Sequence, residues 1–216
     1  LKARIALYAN QYKVAAEASK TAIDLSAGIH ELTPFNTSID FVGKDHSAGE
    51  PDVSNIFGHE GFKTSKEWIW VAEYNLSVPG NTHNQQYYAA SRLGKGVSYW
   101  GPTQDLISTF QAIDGLPITE SPLYDATKPF ENRDPGFYGH IVYPGDTFMD
   151  EKVTPSRFAL TGFGGKKFSI YDRGAPPAGQ GDLKDGQSET NFIVLRYADI
   201  LLMYAEAQNE FAGPDQ

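Results

Sequence analysis

Two helical patterns stand at the ends of this chain, and a long stretch without regular periodicity separates them. That arrangement limits the fold more than any other feature. In residues 12–25, Ala15, Ala18, Ala22 and Leu25 recur at spacings of three and four, which places them on one face of a helix. Lys2 to Ala9 predicts a shorter helix before it, with a tight turn at Asn10-Gln11. Small residues on the longer helix let a neighbouring helix approach closely. Tyr12-x-x-Ala15 followed by Ala22-Ile23-Asp24-Leu25 matches the second helix of a tetratricopeptide repeat, and a plain helical hairpin accounts for it as well. From Phe192 to Phe211 a third helix is expected, with Tyr197, Ile200, Leu201, Tyr204, Ala205 and Gln208 in register. Glu189, Thr190 and Asn191 are its candidate caps, and Gly213-Pro214 its stop. A half-repeat cannot bury its apolar face alone, so the chain is expected to be an internal piece of a longer protein.

The middle carries most of the 21 glycines and 13 prolines, clustered between residues 79 and 186. Glu67 to Tyr74 reads as a short strand of aromatic and β-branched residues. Gly101-Pro102 predicts the start of a short helix running to Phe110. Asp114-Gly115, Asp134-Pro135-Gly136 and Pro144-Gly145-Asp146 punctuate a turn-rich stretch, with a small strand expected over 139–143. A hairpin is expected around residues 162–165, and a polar loop over 174–188. So long a loop-dominated stretch between helices points to function.

Charge and composition remove whole classes. The net charge of -9 leaves no basic face for phosphate, which argues against nucleic acid. With no cysteine there is no thiolate nucleophile and no Cys-based metal site. No apolar run approaches the ~20 residues of a membrane span. Ser98 lacks the Gly-x-Ser-x-Gly elbow, because Trp100 stands where the second glycine belongs. His30, His46, His59, His83 and His140 are scattered without metal-ligand spacing. Among 27 acidic residues composition alone never excludes a carboxylate pair of the glycosidase type. Asp199 and Glu206, near Arg196 on one helix, read as structural pairing instead, and Asp134 before Pro135 reads as a backbone cap. Asp182, Asp185 and Glu189 resemble a calcium loop only loosely.

The aromatic content, 13% of residues, offers a different chemistry. A pyranose presents an apolar face that a Trp or Tyr ring covers while neighbouring polar groups bind its hydroxyls. Asn84-Gln85-Gln86-Tyr87-Tyr88 followed by Ser98-Tyr99-Trp100 supplies that mixture in one span, so Asn84, Tyr87, Tyr88, Tyr99 and Trp100 are the candidate ligand-binding residues. The same rings could equally fill a core. Trp68 and Trp70 share a strand face and form either a platform or part of a core.

Several blocks then resemble one family in the right order. Asn191 to Asn209, Asn-Phe-Ile-Val-Leu-Arg-Tyr-Ala-Asp-Ile-Leu-Leu-Met-Tyr-Ala-Glu-Ala-Gln-Asn, is similar to the hallmark helix of the SusD/RagB family. Trp100-Gly-Pro-Thr-Gln-Asp-Leu-Ile, the Asp114-Gly115 turn, Ser121-Pro-Leu-Tyr-Asp, Pro129-Phe-Glu-Asn-Arg-Asp-Pro135 with Phe137-Tyr138, and Ile141-Val142-Tyr143-Pro-Gly-Asp resemble its upstream segments. The resemblance implies a mainly α fold, with tetratricopeptide-like hairpins packed as a superhelical scaffold and a long loop-rich insertion containing a few short strands. Residues 1–30 would end the N-terminal repeat half, 31–66 would be connecting loops, and 67–216 would begin the truncated C-terminal region. It further implies a non-catalytic lipoprotein, lipid-anchored at the outer-membrane surface of Bacteroidetes-type cells. Such a protein captures oligo- or polysaccharide, or in some members peptide, for a SusC-like TonB-dependent transporter, without metal or cofactor. The alternatives by class are a glycoside hydrolase with paired carboxylates and a repeat-based protein-interaction scaffold. The resemblance also implies that Arg196, Asp199 and Glu206 hold the fold and do not touch ligand.

Overall fold

A computed structural model describes residues 1–33, 56–57, 65–83, 100–148, 151–158, 160–168 and 188–213. The chain divides into two compact units, one of residues 1–33, 66–72 and 193–216, the other of residues 34–65 and 73–192.

The first unit is built on three helices, α1 (Lys2–Tyr8), α2 (Tyr12–Ser26) and α5 (Tyr197–Ala212), with strand β1 (Trp68–Ala72) paired to β6 (Phe192–Arg196). Asn10 closes the α1–α2 turn in the left-handed region, φ 55°, a conformation Asn tolerates better than most residues. Helix α2 packs against α1 and, most extensively, against α5. Alanines make this possible: Ala6, Ala15, Ala16 and Ala207 form one fully buried cluster, so the backbones approach closely. Beside it Ala3, Leu195, Ile200 and Met203 make a second.

Three details depart from the sequence expectation. The buried face of α2 runs through Ala15, Ala16, Ser19 and Ser26, while Leu25 is exposed. In α5 the buried stripe is Ile200, Met203 and Ala207, and Ala205 faces solvent. The expected helix from Phe192 also begins five residues late. Phe192-Ile-Val-Leu-Arg196 is β-branched and apolar enough to pair as β6, and tertiary pairing overrides the helical register. The cap is therefore Arg196 with Asp199, whose carboxylate accepts from Arg196 N at 3.0 Å. Glu189 and Asn191 cap no helix; they accept from Leu76 N and Tyr74 N instead.

Glu67 ties the first unit together. It is buried, and its two carboxylate oxygens accept from Arg196 Nη1 at 2.9 Å and from Thr33 N at 3.1 Å. Arg196 and Asp199 hold the fold, whereas Glu206 makes no ion pair among the described residues.

The second unit carries α3 (Gln104–Thr109), α4 (Pro135–His140), β2 (Ile141–Val142), the short hairpin β3 (Thr147–Phe148) and β4 (Glu151–Lys152), and β5 (Gly164–Gly165). Its core is largely aromatic: Phe137, Tyr138, Tyr143 and Phe163 with Ile107 and Ile141, flanked by Phe110 and Phe130. Most of the rings meet at tilted or edge-on angles, as their quadrupoles prefer, while Phe130 and Phe137 lie nearly parallel with centres 6.2 Å apart. The segment around Asp134-Pro135-Gly136, read as a turn, is the start of α4. Pro135 suits the first helical turn, and Asp134 Oδ1 accepts from Gly136 N at 2.7 Å. Among the described residues of 158–171, the expected hairpin around 162–165 shows no pairing of its own. Gly165 and Gly164 pair antiparallel with Ile141 and Val142. A ring explains the glycine there: a Cβ on Gly164 would lie 2.6 Å from the Phe158 ring.

Candidate functional site

A groove of about 450 Å3 opens on the second unit. Its apolar wall is Trp100, Pro102, Leu106, Phe110 and Ile141. Gly101 and Gly165 also line it, and among the described residues His140 and Lys167 bring polar side chains. Trp100 is 54% exposed, so it is not a core residue.

Each wall residue is positioned by something identifiable. Thr103 caps α3 by accepting from Leu106 N at 3.2 Å, which sets the turn bearing Leu106. Pro102 lies before this cap, not within the first turn as the sequence suggested. At the far end of α3, Arg133 donates to Ile107 O at 2.6 Å and to Phe110 O at 2.9 Å. These carbonyls lie where a helix leaves its acceptors unsatisfied. The same guanidinium donates to Pro129 O at 2.9 Å and lies 4.8 Å from the centre of the Phe137 ring. Arg133 is 1% exposed.

The opposite wall follows from the pairing of β2 with β5. After Gly165, Lys166 turns inward and Lys167 outward. Lys166 N donates to His140 O at 2.8 Å, and its buried ammonium meets Asp146 at 2.7 Å and Tyr138 O at 2.9 Å. Burial pushes the Asp146 carboxyl above its ordinary value, against the opposing pull of Lys166. Lys167 Nζ stands 3.9 Å from the centre of the Phe57 ring, a cation–π distance. Phe57 in turn lies 5.5 Å from His140, centre to centre.

Gly101 is required by close approach: a Cβ there would lie 2.5 Å from Thr161 Oγ1. Gly101→Ala is therefore expected to push Thr161 aside and destabilise the protein by about 1–3 kcal/mol. Thermal unfolding of G101A with and without T161A checks this, because removing the hydroxyl and methyl of Thr161 should restore most of the loss. No recovery in the double variant would mean the contact is not the cause.

Of the ligand-binding candidates picked out by sequence, Trp100 is described and lines this groove, beside His140 from the scattered histidines; Asn84, Tyr87, Tyr88 and Tyr99 lie outside the described residues, as do His46, His59, Asp182 and Asp185. Trp70 is 53% exposed on β1, and Trp68 is half-buried. His30 and His83 each have a ring nitrogen bonded to a backbone carbonyl, of Lys66 and Thr190. No group of three metal-ligating side chains occurs among the described residues. There, too, no helix is long and apolar enough to cross a membrane. A second groove of about 410 Å3 in the first unit includes Arg4, Tyr8, Asp199 and Glu206. Its two carboxylates sit seven residues apart on α5, a rise of about 10 Å along the axis. Asp199 is committed to the helix cap, so the pair has one structural member.

Reasoning from sequence missed His140, Lys167 and Leu106. For Lys167 the local signal was the double lysine after Gly164-Gly165, of which Lys166 is buried and Lys167 exposed.

No curated protein matches the chain. Among solved structures it is similar to a SusD-like carbohydrate-binding protein from Bacteroides fragilis, with 21% identity and a TM-score of 0.71, over 96% of this chain and 38% of that one. It is also similar to another SusD-like protein from Bacteroides fragilis, with 26% identity and a TM-score of 0.64, over 98% of this chain and 42% of that one. The chain thus spans about two fifths of the length of these relatives, whose fold it shares. The family model described as the SusD family matches residues 66–216, which include Trp100 and the other described residues lining its groove, the β1–β6 pair and α5. On that match, over more than half its length, the chain belongs to the SusD family.

Proposed function

We infer that this chain is part of a non-catalytic glycan-binding protein, and that the Trp100 groove is where the saccharide docks. The exposed Trp100 ring at an apolar groove carries the reading. A sugar's C–H face can lie on it, and the flat wall of Pro102 and Leu106 excludes water from the same face. One similar structure is described as a carbohydrate-binding protein, which agrees with this reading. Tyr99 is the next residue in sequence, and Asn84, Tyr87 and Tyr88 are proposed to extend the surface with further rings and an amide. The α1–α2 hairpin and α5, joined by small residues, serve as a tetratricopeptide-like scaffold that recurs into a superhelix in the whole protein. Residues 1–30 close its N-terminal repeats, residues 31–66 connect, and residues 67–216 open the C-terminal region. The whole protein would be a lipid-anchored outer-membrane surface protein of Bacteroidetes-type cells. It would pass oligo- or polysaccharide intact to a SusC-like TonB-dependent transporter.

A glycan array on the full-length protein, followed by titration of the best ligand, tests this. Trp100→Ala is expected to weaken binding at least about tenfold, as for a central aromatic anchor. The saccharide should keep its chain length during incubation. Unchanged affinity in W100A, or new reducing ends, would overturn the reading.

A further inference from the structure

Trp100 is followed by Gly101 and Pro102, a run that by itself fixes an anchoring ring poorly. Glycine has the widest choice of backbone conformations, so a side chain carried beside one keeps freedom that other neighbours would remove. Pro102 and the Thr103 cap lead into helix α3, but they stand on the far side of that glycine. Part of the restraint on Gly101 comes from a distant turn. The three heavy atoms nearest to an added Cβ all belong to the Thr161 side chain, Oγ1 at 2.5 Å, Cγ2 at 2.9 Å and Cβ at 3.3 Å. Thr161 thus lies across one face of the glycine. The turn that carries it is rooted in the core. Its hydroxyl accepts from Phe163 N and donates to Phe163 O, both at 3.3 Å. Gly162 closes the turn at φ 83°, and its N donates to Phe158 O at 2.7 Å. Phe158 and Phe163 are both buried, the latter within the aromatic cluster. Thr161 is also β-branched, which leaves its side chain few rotamers. A rigid abutment therefore runs from the aromatic core through Phe163 and Thr161 to the backbone that bears Trp100.

Resting on the glycan reading above, we propose that Thr161 is a positioning residue for saccharide binding, acting through Gly101 to hold the Trp100 ring in its receiving orientation. A ring already held loses less freedom when a sugar face settles on it, so restraint in the free protein becomes affinity in the complex. Both branches of Thr161 meet the glycine, so shape carries the effect more than the hydroxyl does. Valine keeps that shape and should replace it; alanine should not.

The test uses the full-length protein labelled with 5-fluorotryptophan, with the Trp100 and Trp70 resonances assigned from their loss in W100F and W70F. In Thr161→Ala the Trp100 resonance is expected to shift and narrow, as for a ring with more fast motion. That of Trp70, on β1 in the first unit, should stay in place. Thr161→Val should return the Trp100 resonance to its wild-type position. Isothermal titration with the tightest-binding of maltohexaose, cellohexaose, xylohexaose and mannohexaose supplies the second readout. T161A is expected to weaken binding of that probe about two- to tenfold, as immobilising one further side chain on binding costs, and T161V to recover most of it. In a W100A background T161A should change affinity no further, which a merely structural loss would not obey. An unmoved Trp100 resonance in T161A, or no rescue by T161V, would overturn the positioning role. A shifted resonance with unchanged affinity, or an equal loss in W100A, would overturn its bearing on binding and leave the glycan reading intact. Absence of binding to these hexaoses and to every glycan on the array would overturn the glycan reading, and the Trp100 resonance would still decide whether Thr161 holds the ring.

Discussion

Replacing Lys166 by methionine is expected to cost about 3–5 kcal/mol of stability, the usual penalty for stranding one partner of a buried ion pair. Both side chains lie almost fully inside, Lys166 at 3% and Asp146 at 1% exposure, with 2.7 Å between ammonium and carboxylate. Removing the lysine leaves a carboxylate in an apolar setting and also frees Tyr138 O from its 2.9 Å donor. For a protein of this size the loss corresponds to a fall in melting temperature of about 6–20 °C. The double variant D146L/K166M should recover most of it, because well-packed apolar residues replace a buried pair at little cost.

The pH dependence has a definite sign. Burial raises the folded-state pKa of Asp146 above its ordinary value, with the opposing pull of Lys166 weaker than that burial. A raised carboxyl contributes stability that is fully present below the unfolded pKa of about 4 and is lost as pH rises through the folded value. In K166M the opposing pull is gone and the folded value rises further. The deficit against wild type should therefore be largest at neutral pH and shrink as pH falls through that raised value toward about 4. Melting curves of the two proteins across that window check it. A deficit that is flat with pH, or that grows in acid, would sink the assignment.

Replacing Arg133 by methionine is the second large effect, expected to cost at least about 3 kcal/mol. The guanidinium satisfies three backbone carbonyls, those of Ile107, Phe110 and Pro129, and nothing of methionine's length replaces its donors. Arg133→Lys should rescue little. A single ammonium cannot present the planar fork that reaches three acceptors in different directions while lying along the Phe137 ring. Two of the three carbonyls end the helix that bears Leu106, so loss of glycan affinity should accompany the loss of stability. Chemical denaturation gives the first quantity, and titration at a temperature where the variant remains folded gives the second. If R133K were as stable as wild type, one ammonium would suffice and the capping account would fail.

Both predictions concern residues that local pattern does not single out. Arg133 sits between Asn132 and Asp134 in a run that reads as solvated turn chemistry, and its burial depends on α3, some 25 residues earlier in the chain. Lys166 and Lys167 are identical neighbours, and strand alternation cannot tell which of them turns inward. That is decided by the pairing of Gly164-Gly165 with Ile141-Val142 and by where Asp146 stands. Asp146 itself looked like turn punctuation, and it is turn punctuation, with Oδ1 accepting from Thr147 N at 2.8 Å as well. Its second oxygen is the one the core uses.

The ends of the chain were more legible. Helices α1, α2 and α5 and strand β1 lie close to where the periodicity places them, because a 3.6-residue repeat of small apolar residues is a local property. The misjudged parts depend on partners. The strand at the start of the expected third helix pairs with β1, Leu25 is left exposed, and Pro135 starts a helix where a turn was expected.

From sequence alone came the helical ends, the loop-rich middle, the ring chemistry of Trp100 and the order of blocks that marks the SusD family. Periodicity, capping residues and composition are written within a few neighbouring positions, so no knowledge of distant contacts is needed to read them. Only the tertiary structure decided that Trp100 is exposed, that it faces a groove with Lys167 and His140, and that Arg133, Asp146 and Lys166 are inside. Burial of a charge depends on what arrives from elsewhere in the chain, and a residue's own neighbours carry no record of that.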